Sequence, residues 1–424
     1  MQVSLFAQKG RTADQPTYVL TTDDEAFLED LEKRAFLFFW EQSDPKTGLT
    51  LDRAHIDGRP PGPTDNHYQV ASIASDGFGL SGLCIAADRG WVTRQQALDR
   101  TRTTLAFFAD RAFNKNGWFY HWMDAVTGER RWKSEVSSID TALLLGGVLT
   151  VKQCFDDDPE IVKLADRIYK RIDFKWMLNG DRYLLSHGWR PETGFLQNRW
   201  HDYSEQMILN LLAIGSPDHP IPWQAWYAWE RGYKGYDRYR YLAAVSPLFI
   251  HQFSHAWVDF RDKRERYKKF DTNYFENSIL ATRAQRQFFI DVLSKEFPKY
   301  GPNIWGLTAS DAKGGYLVWG APPRDPQTDG TVVPNAPAGS LMFTPDISLP
   351  ALKAMKAQYG DKVYGHYGFA DAFNPHAGWV DTDVIGIDVG ITLLSAENLR
   401  TGNVWRWFMQ NKEMKNALLR AKIR

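Results

Sequence analysis

Lys133-Ser134-Glu135-Val136-Ser137-Ser138-Ile139-Asp140-Thr141-Ala142-Leu143-Leu144-Leu145-Gly146-Gly147-Val148-Leu149 is polar through its first half and unbroken apolar through its second. A buried helix whose N-terminal end opens into a cavity carries this pattern. Ser137 or Ser138 is placed to cap the helix by accepting a free backbone N–H, which sets Asp140 in the first turn. There a carboxylate meets the positive end of the helix dipole. Taken alone, the stretch equally describes a capping acid ahead of a core helix. The rest of the chain tips the balance, because it supplies many such helices and a great many aromatic residues.

Working outward, an amphipathic helix is expected from Thr22 to Gln42, capped by Thr22 or Asp23, with Phe27, Leu31, Ala35, Phe38 and Phe39 on one face. Periodicity places further helices at about 68–89, 94–113, 137–155, 158–172, 202–214, 244–258, 271–295, 345–358, 384–397 and 403–421. Between them run long loops rich in Trp, Tyr, Gly and Asp, such as Gly117-Trp118-Phe119-Tyr120-His121-Trp122. No linker or charge run divides the chain, and no fixed period recurs. Helical hairpins without a clean repeat suit an all-α fold, an (α/α)6 toroid barrel with long aromatic-rich loops lining a pocket at one end. A superhelical repeat protein is the alternative, although its loops would be shorter and more alike. The expected organisation is an N-terminal arm over 1–22 and a single catalytic barrel over 23–424.

The 424 residues balance 51 Lys and Arg against 51 Asp and Glu, which argues against nucleic acid or an anionic membrane as the main partner. Seventeen Trp, 18 Tyr and 25 Phe make up 14% of the chain, and flat rings with a polar edge suit the faces of sugars. Two cysteines, Cys84 and Cys154, sit in apolar helical surroundings. They read as buried thiols rather than a disulfide framework or metal site. No run reaches the ~18 apolar residues of a membrane span. The N-terminus has too short an apolar core for a complete signal peptide.

Acids recur where apolar helices begin. Arg199-Trp200-His201-Asp202-Tyr203-Ser204-Glu205-Gln206-Met207 leads into Ile208-Leu209-Asn210-Leu211-Leu212. If Asp202 caps that helix, Glu205 falls at its third position, where a capping box is the plain explanation. Arg199, Trp200 and Tyr203 on the same turn are more than a cap requires. Gly378-Trp379-Val380-Asp381-Thr382-Asp383-Val384-Ile385-Gly386-Ile387-Asp388 gathers three acids within eight residues. Trp305-Gly306-Leu307-Thr308-Ala309-Ser310-Asp311, ending near Tyr316, offers hydroxyl and carboxylate contacts. The loop ending Asp52-Arg53 adds another acid and a guanidinium. His255 reads as a core histidine. With no Cys-x-x-Cys, Gly-x-Ser-x-Gly or phosphate loop, a cofactor-free enzyme working with carboxylates remains.

Together, Ser137-Ser138-Ile139-Asp140-Thr141-Ala142-Leu143-Leu144, the Asp202–Glu205 turn, Trp305–Asp311, Tyr367-Gly368-Phe369-Ala370-Asp371-Ala372-Phe373-Asn374-Pro375, Ile385-Gly386-Ile387-Asp388-Val389-Gly390 and Glu397-Asn398-Leu399-Arg400-Thr401-Gly402 resemble the glucoamylase-like domain, which includes the β-1,2-glucanases of glycoside hydrolase family 144. The resemblance runs from about residue 24 to 420. It implies an (α/α)6 barrel that hydrolyses or transfers glucan linkages without a metal, at a periplasmic or secreted location. It makes Glu205 the candidate general acid and gives functional weight to Asp140 and Asp388. Where those glucanases carry a Glu and a further acid, this chain has Asp140 and Ser137. The shorter Asp140 draws its carboxyl back by about one C–C bond.

The expected chemistry is therefore cleavage of a glucan, plausibly β-1,2-linked, by one protonated carboxyl and one ionised carboxylate, with inversion of configuration. Glu205 would be the acid, Asp388 the base, and Asp140 would orient a hydroxyl or water. Arg199, Trp200, Tyr203, Trp305, Asp311, Tyr316, Asp52, Arg53, Trp379 and Asp383 would contact an oligo- or polysaccharide. An α-glucosidase, transglycosylase or lyase on the same barrel, or a non-catalytic sugar-binding barrel, are the competing classes.

Overall fold

The computed structural model describes residues 18–322, 324 and 327–424. Of the arm expected over 1–22, residues 1–17 lie outside the described residues, and the remainder leads into the first helix. In chain order the helices are α1 (Thr22–Glu41), α2 (Ile73–Arg89), α3 (Arg94–Ala106), α4 (Ser138–Cys154), α5 (Pro159–Lys170), α6 (Phe174–Met177), α7 (Met207–Gly215), α8 (Phe253–Trp257), α9 (Tyr274–Phe288), α10 (Ser294–Glu296), α11 (Asn335–Gly339), α12 (Pro345–Tyr359), α13 (Gly386–Arg400), α14 (Asn403–Phe408) and α15 (Lys412–Arg420).

An inner ring forms from α2, α4, α7, α8 with its preceding 3-10 turn Leu248–His251, α11 and α13, each packed on the next, and α13 closing back on α2. Around it, α1 packs on α2 and α13, α3 on α2, α5 on α4, α9 against the Leu248–His251 turn, and α12 on α11. The place beside α7 is filled out of chain order by α15, together with the 3-10 turn Trp223–Tyr227. This is the expected (α/α)6 toroid. Inner helices are buried almost all round, which is why their sequences are apolar without a stripe. At the α2–α4 contact the backbones touch. A Cβ at Gly77 would lie 2.1 Å from the Leu143 carbonyl, and one at Gly147 2.1 Å from that of Gly77.

Local chemistry sets the helix ends. Thr21, one residue earlier than expected, caps α1 in a box with Asp24. Helix α2 starts at Ile73 rather than 68, because Val70–Ser72 pairs as a strand with Trp122–Asp124. The expected 403–421 helix breaks around Asn411, whose side chain donates to the Leu149 and Phe408 carbonyls. Closure of the ring is secured at the α1–α2–α13 seam. There Arg400 bonds Glu25, Glu29 and Glu32, and Arg89 bonds Glu397 at 2.7 Å.

Inner helices point their N-terminal ends toward one mouth, and short antiparallel pairings zip the loops above it. Arg53–His55 pairs with Asp383–Ile385, and Val136–Ser137 with Gly188–Arg190. The opposite end is plugged by α14, where Trp405 donates to the His255 carbonyl at 2.6 Å. Among the described residues, no helix is long and apolar enough to cross a membrane.

Candidate active site

At the mouth lies a cavity of about 420 Å³ bordered by the beginnings of α2, α4 and α13 and by the turn before α7. Its floor is Ile139, Leu143, Ile385 and Ile387. Three carboxylates line it, Asp52, Asp140 and Glu205, with Arg53, His67 and His121. Trp122, Trp132, Phe249, Phe253 and Tyr316 complete the wall. Apolar lining with a few convergent polar groups is the usual make-up of a small-molecule site.

Asp140 stands where its stretch of sequence puts it. Ser137 caps α4, accepting the Asp140 backbone N–H and donating its hydroxyl to Asp140 Oδ2 at 2.5 Å. That serine fixes the Asp140 carboxylate from within its own helical turn. His121 adds a second restraint, with Nδ1 3.4 Å from Asp140 Oδ2 and 3.2 Å from Glu135 Oε1. Burial alone would lower the pKa of His121, but the Asp140 and Glu135 carboxylates outweigh it and hold the imidazole above its ordinary value. Glu135 in turn, despite burial, is held down to about 2 by His121 and by Arg190 at 3.2 Å.

Glu205 is not a capping residue. Helix α7 begins at Met207, and Gln206 ties the turn by accepting from the Ser204 N–H and donating to the Asp202 carbonyl. Ser254 locks the same turn from α8 by donating to the Glu205 carbonyl at 2.5 Å. The Glu205 side chain is left free to face the cavity, bonded only by the Ser204 hydroxyl. Burial, and then the Asp140 charge, raise its pKa above the ordinary glutamate value.

Across the cavity, Arg53 gathers acids from three loops. Its guanidinium lies 2.6 Å from Asp311, 3.4 Å from Asp52 and 3.6 Å from Asp383, and His55 bonds Asp383 at 2.7 Å. Behind this front row sit Asp371, Asp381 and Asp388. Asp371 accepts the Asp311 N–H at 2.7 Å, and the Asn335 amide donates to Asp388. Burial pushes Asp388 up to about 7 and, with Asp371 and Asp311 beside it, pushes Asp381 up to about 8. Asp371 is driven well above the carboxylate range by burial and by Asp388.

The structure thus brings Glu205, Asp140, Asp52, Arg53 and Tyr316 to the cavity, with Asp311 and Asp383 bonded to the inner side of Arg53. Other expected contacts fall elsewhere. Asp388 is 5% exposed and sits behind the cavity wall, because the first turn of α13 aims it at Asn335. Arg199 donates to the Leu178, Leu184 and Asn179 carbonyls and pins a loop. Trp200 is buried, stacked on His187 at 4.0 Å, and donates to Ser138 Oγ. Tyr203 and Trp305 are wholly in the core, Tyr203 lying parallel to Tyr274 and bonded to His251. Trp379 pairs with Asn374 at a strand edge away from the cavity.

The cavity's tryptophans instead come from the 118–132 segment. Trp122 stacks on His121 at 3.5 Å, and Trp132 meets Trp122 and His67 edge-to-face. The run Tyr120-His121-Trp122 was the available signal, readable as an aromatic loop but not as a cavity wall. Among the described residues, two clusters have ligand atoms within 4.8 Å of one another, His121–Glu135–Asp140 and Asp311–Asp371–Asp381, and could each approach a cation. Arg190 and Arg53 already face one acid of each.

A helical toroid with paired carboxylates at one mouth defines a class of carbohydrate-active barrels. The Glycoamylase family model, described as "Putative glucoamylase", matches residues 197–412, and the chain belongs to this family. It is 27% identical, over 96% of its length, to an exo β-1,2-glucooligosaccharide sophorohydrolase (non-reducing end) of Parabacteroides distasonis, and spans 59% of that protein. An endo-β-1,2-glucanase of Chitinophaga pinensis, solved with sophorotriose and glucose, superposes with a TM-score of 0.87 at 26% identity over 96% of this chain and 99% of that one. A β-1,2-glucanase structure from Parabacteroides distasonis gives 0.84 at 25% identity, over 96% of this chain and 60% of that one.

Proposed function

We propose that this chain is a glycoside hydrolase that cleaves β-1,2-linked glucan or its oligosaccharides. The observation that carries the proposal is that Glu205, raised in pKa, shares one cavity with Asp140. A carboxyl that keeps its proton toward neutral pH can protonate a departing glycosidic oxygen, and a second carboxylate facing the same space can take a proton from water. Glu205 is the acid. Asp140, held by Ser137 and His121, meets the water directly, a role that Asp388 could fill only through a relay from behind the wall. The two acids stand at the beginnings of different members of the inner ring, which suits the wider carboxyl separation that admits a water and inverts the anomeric centre.

Trp122 and Trp132 offer stacking faces for pyranose rings, while Asp52 and Arg53 bond hydroxyls. The linkage preference is supported by the named activities of the similar proteins, and the family resemblance supports a periplasmic or secreted site of action. Incubation with a panel of β-1,2-, β-1,3-, β-1,4- and α-linked glucans, followed by product sizing, tests the proposal. Sophoro-oligosaccharide products from the β-1,2 substrate alone are expected. Cleavage of an α-glucan instead, or an unsaturated product, would replace it with a different enzyme class.

A further inference from the structure

The two cysteines lie on the only two inner helices joined by glycine-to-glycine backbone contact among the described residues. Helices α2 and α4 run parallel, since Ser72 at the head of one and Asp140 at the head of the other both border the cavity. Their contact is built from Gly77 on α2 against Leu143 and Gly147 on α4. Cys84 lies seven residues beyond Gly77, and Cys154 seven beyond Gly147. Seven residues are close to two turns at 3.6 residues per turn, so the same helix faces meet again about 10 Å further along. The register therefore delivers Cys84 opposite Cys154, and Cys154 is the neighbour that, after burial, raises the Cys84 thiol. Gly77 and Gly147 bring the two axes together in the stretch that leads to this pair.

We infer that Cys84 and Cys154 form a disulfide linking α2 to α4 when the chain meets an oxidising disulfide, such as a protein disulfide or oxidised glutathione. The two thiols differ in access. Cys84 is fully buried, and its burial and the neighbouring Cys154 push its thiol well up, while Cys154, the last residue of α4, is partly exposed. Cys154 therefore attacks first. Its thiolate displaces one thiol from the oxidant and leaves a mixed disulfide. Cys84 then loses its proton, attacks the Cys154 sulfur and expels the second thiol. Two protein thiols and one external disulfide become one protein disulfide and two external thiols, with two electrons passed to the oxidant. The cross-link closes a loop of about 70 residues and ties the far ends of the two helices whose near ends carry Ser72 and Asp140.

The test uses the full chain, reduced and then exposed to oxidised glutathione, with free thiols alkylated in denaturant and the peptides mapped by mass. Loss of two hydrogens, a Cys84–Cys154 linked peptide and an apparent Tm about 5 °C higher than the reduced form are expected. Cys84→Ser should stop at a stable glutathione adduct on Cys154, and Cys154→Ser should take up no glutathione. Two alkylatable thiols after oxidation of the folded wild type, or a wild type that halts at the mixed disulfide, would overturn the inference. Neither result depends on the substrate, so the outcome stands apart from the hydrolase assignment.

Discussion

On the α4 side of the cavity, each acid is held by fixed partners: Ser137 and His121 for Asp140, Arg190 and the same His121 for Glu135, Ser204 for Glu205. On the α13 side, Asp52, Asp311, Asp371, Asp381, Asp383 and Asp388 crowd around Arg53 and His55. Cations there are too few for the acids, and buried oxygens of Asp371, Asp381 and Asp388 lack hydrogen-bond partners. Protons make up the difference, as the raised values of all three indicate. The α4 wall holds its acids in distinct environments, and two of them, Asp140 and Glu205, face the cavity. The α13 wall holds shared protons out of reach, and serves to shape Arg53, Asp52 and Tyr316.

If the walls divide the work in this way, substitutions on them separate by size and by kind. Glu205→Gln should lower kcat on β-1,2-glucan by at least ~10², the usual share of a general acid, with little change in melting. Asp140→Asn should cost a comparable factor, and Asp388→Asn clearly less; the reverse order in steady-state kinetics would move the base to the α13 wall. His121→Asn removes the cation beside Asp140, so kcat/KM should fall about tenfold and the acidic limb of its pH profile should move upward. Trp132→Ala should raise KM about fivefold and leave stability alone, since its ring is 37% exposed. Trp200→Ala should instead unfold the chain earlier, by about 3 kcal/mol or more in denaturant titration, because that ring is packed.

The smallest effect is one of slope. Asp381 and Asp388 keep protons to about 8 and about 7 in the folded state, but release them near 4 when unfolded. Between those limits the folded chain binds more protons, so stability falls as pH rises. Asp381→Asn should flatten that decline between about pH 4 and 8 in thermal melts. An unchanged slope would show that the α13 acids are charged and paired.

Much of this was legible in local sequence. The Ser137 cap and first-turn Asp140 were readable because both lie within one helical turn, and the apolar runs announced the inner ring. Asp388 and Trp200 misled for the same physical reason. A residue's place at a helix start does not fix which way it faces, and Asn335 and Ser138, remote in sequence, claimed them. Arg53 reaches Asp383 through a strand pairing between the two ends of the chain, and the slot filled by α15 is likewise set by tertiary contact. No local pattern carries either.

The central claim is that Glu205 supplies the proton to the leaving oxygen. Wild type and Glu205→Gln should be compared on a β-1,2-gluco-oligosaccharide and on a β-glucosyl substrate of the same linkage whose leaving group is a dinitrophenolate. Such a leaving group departs without protonation. The variant should lose at least ~10² on the oligosaccharide and remain close to wild type on the activated substrate. Equal losses on both, or none on either, would contradict the assignment.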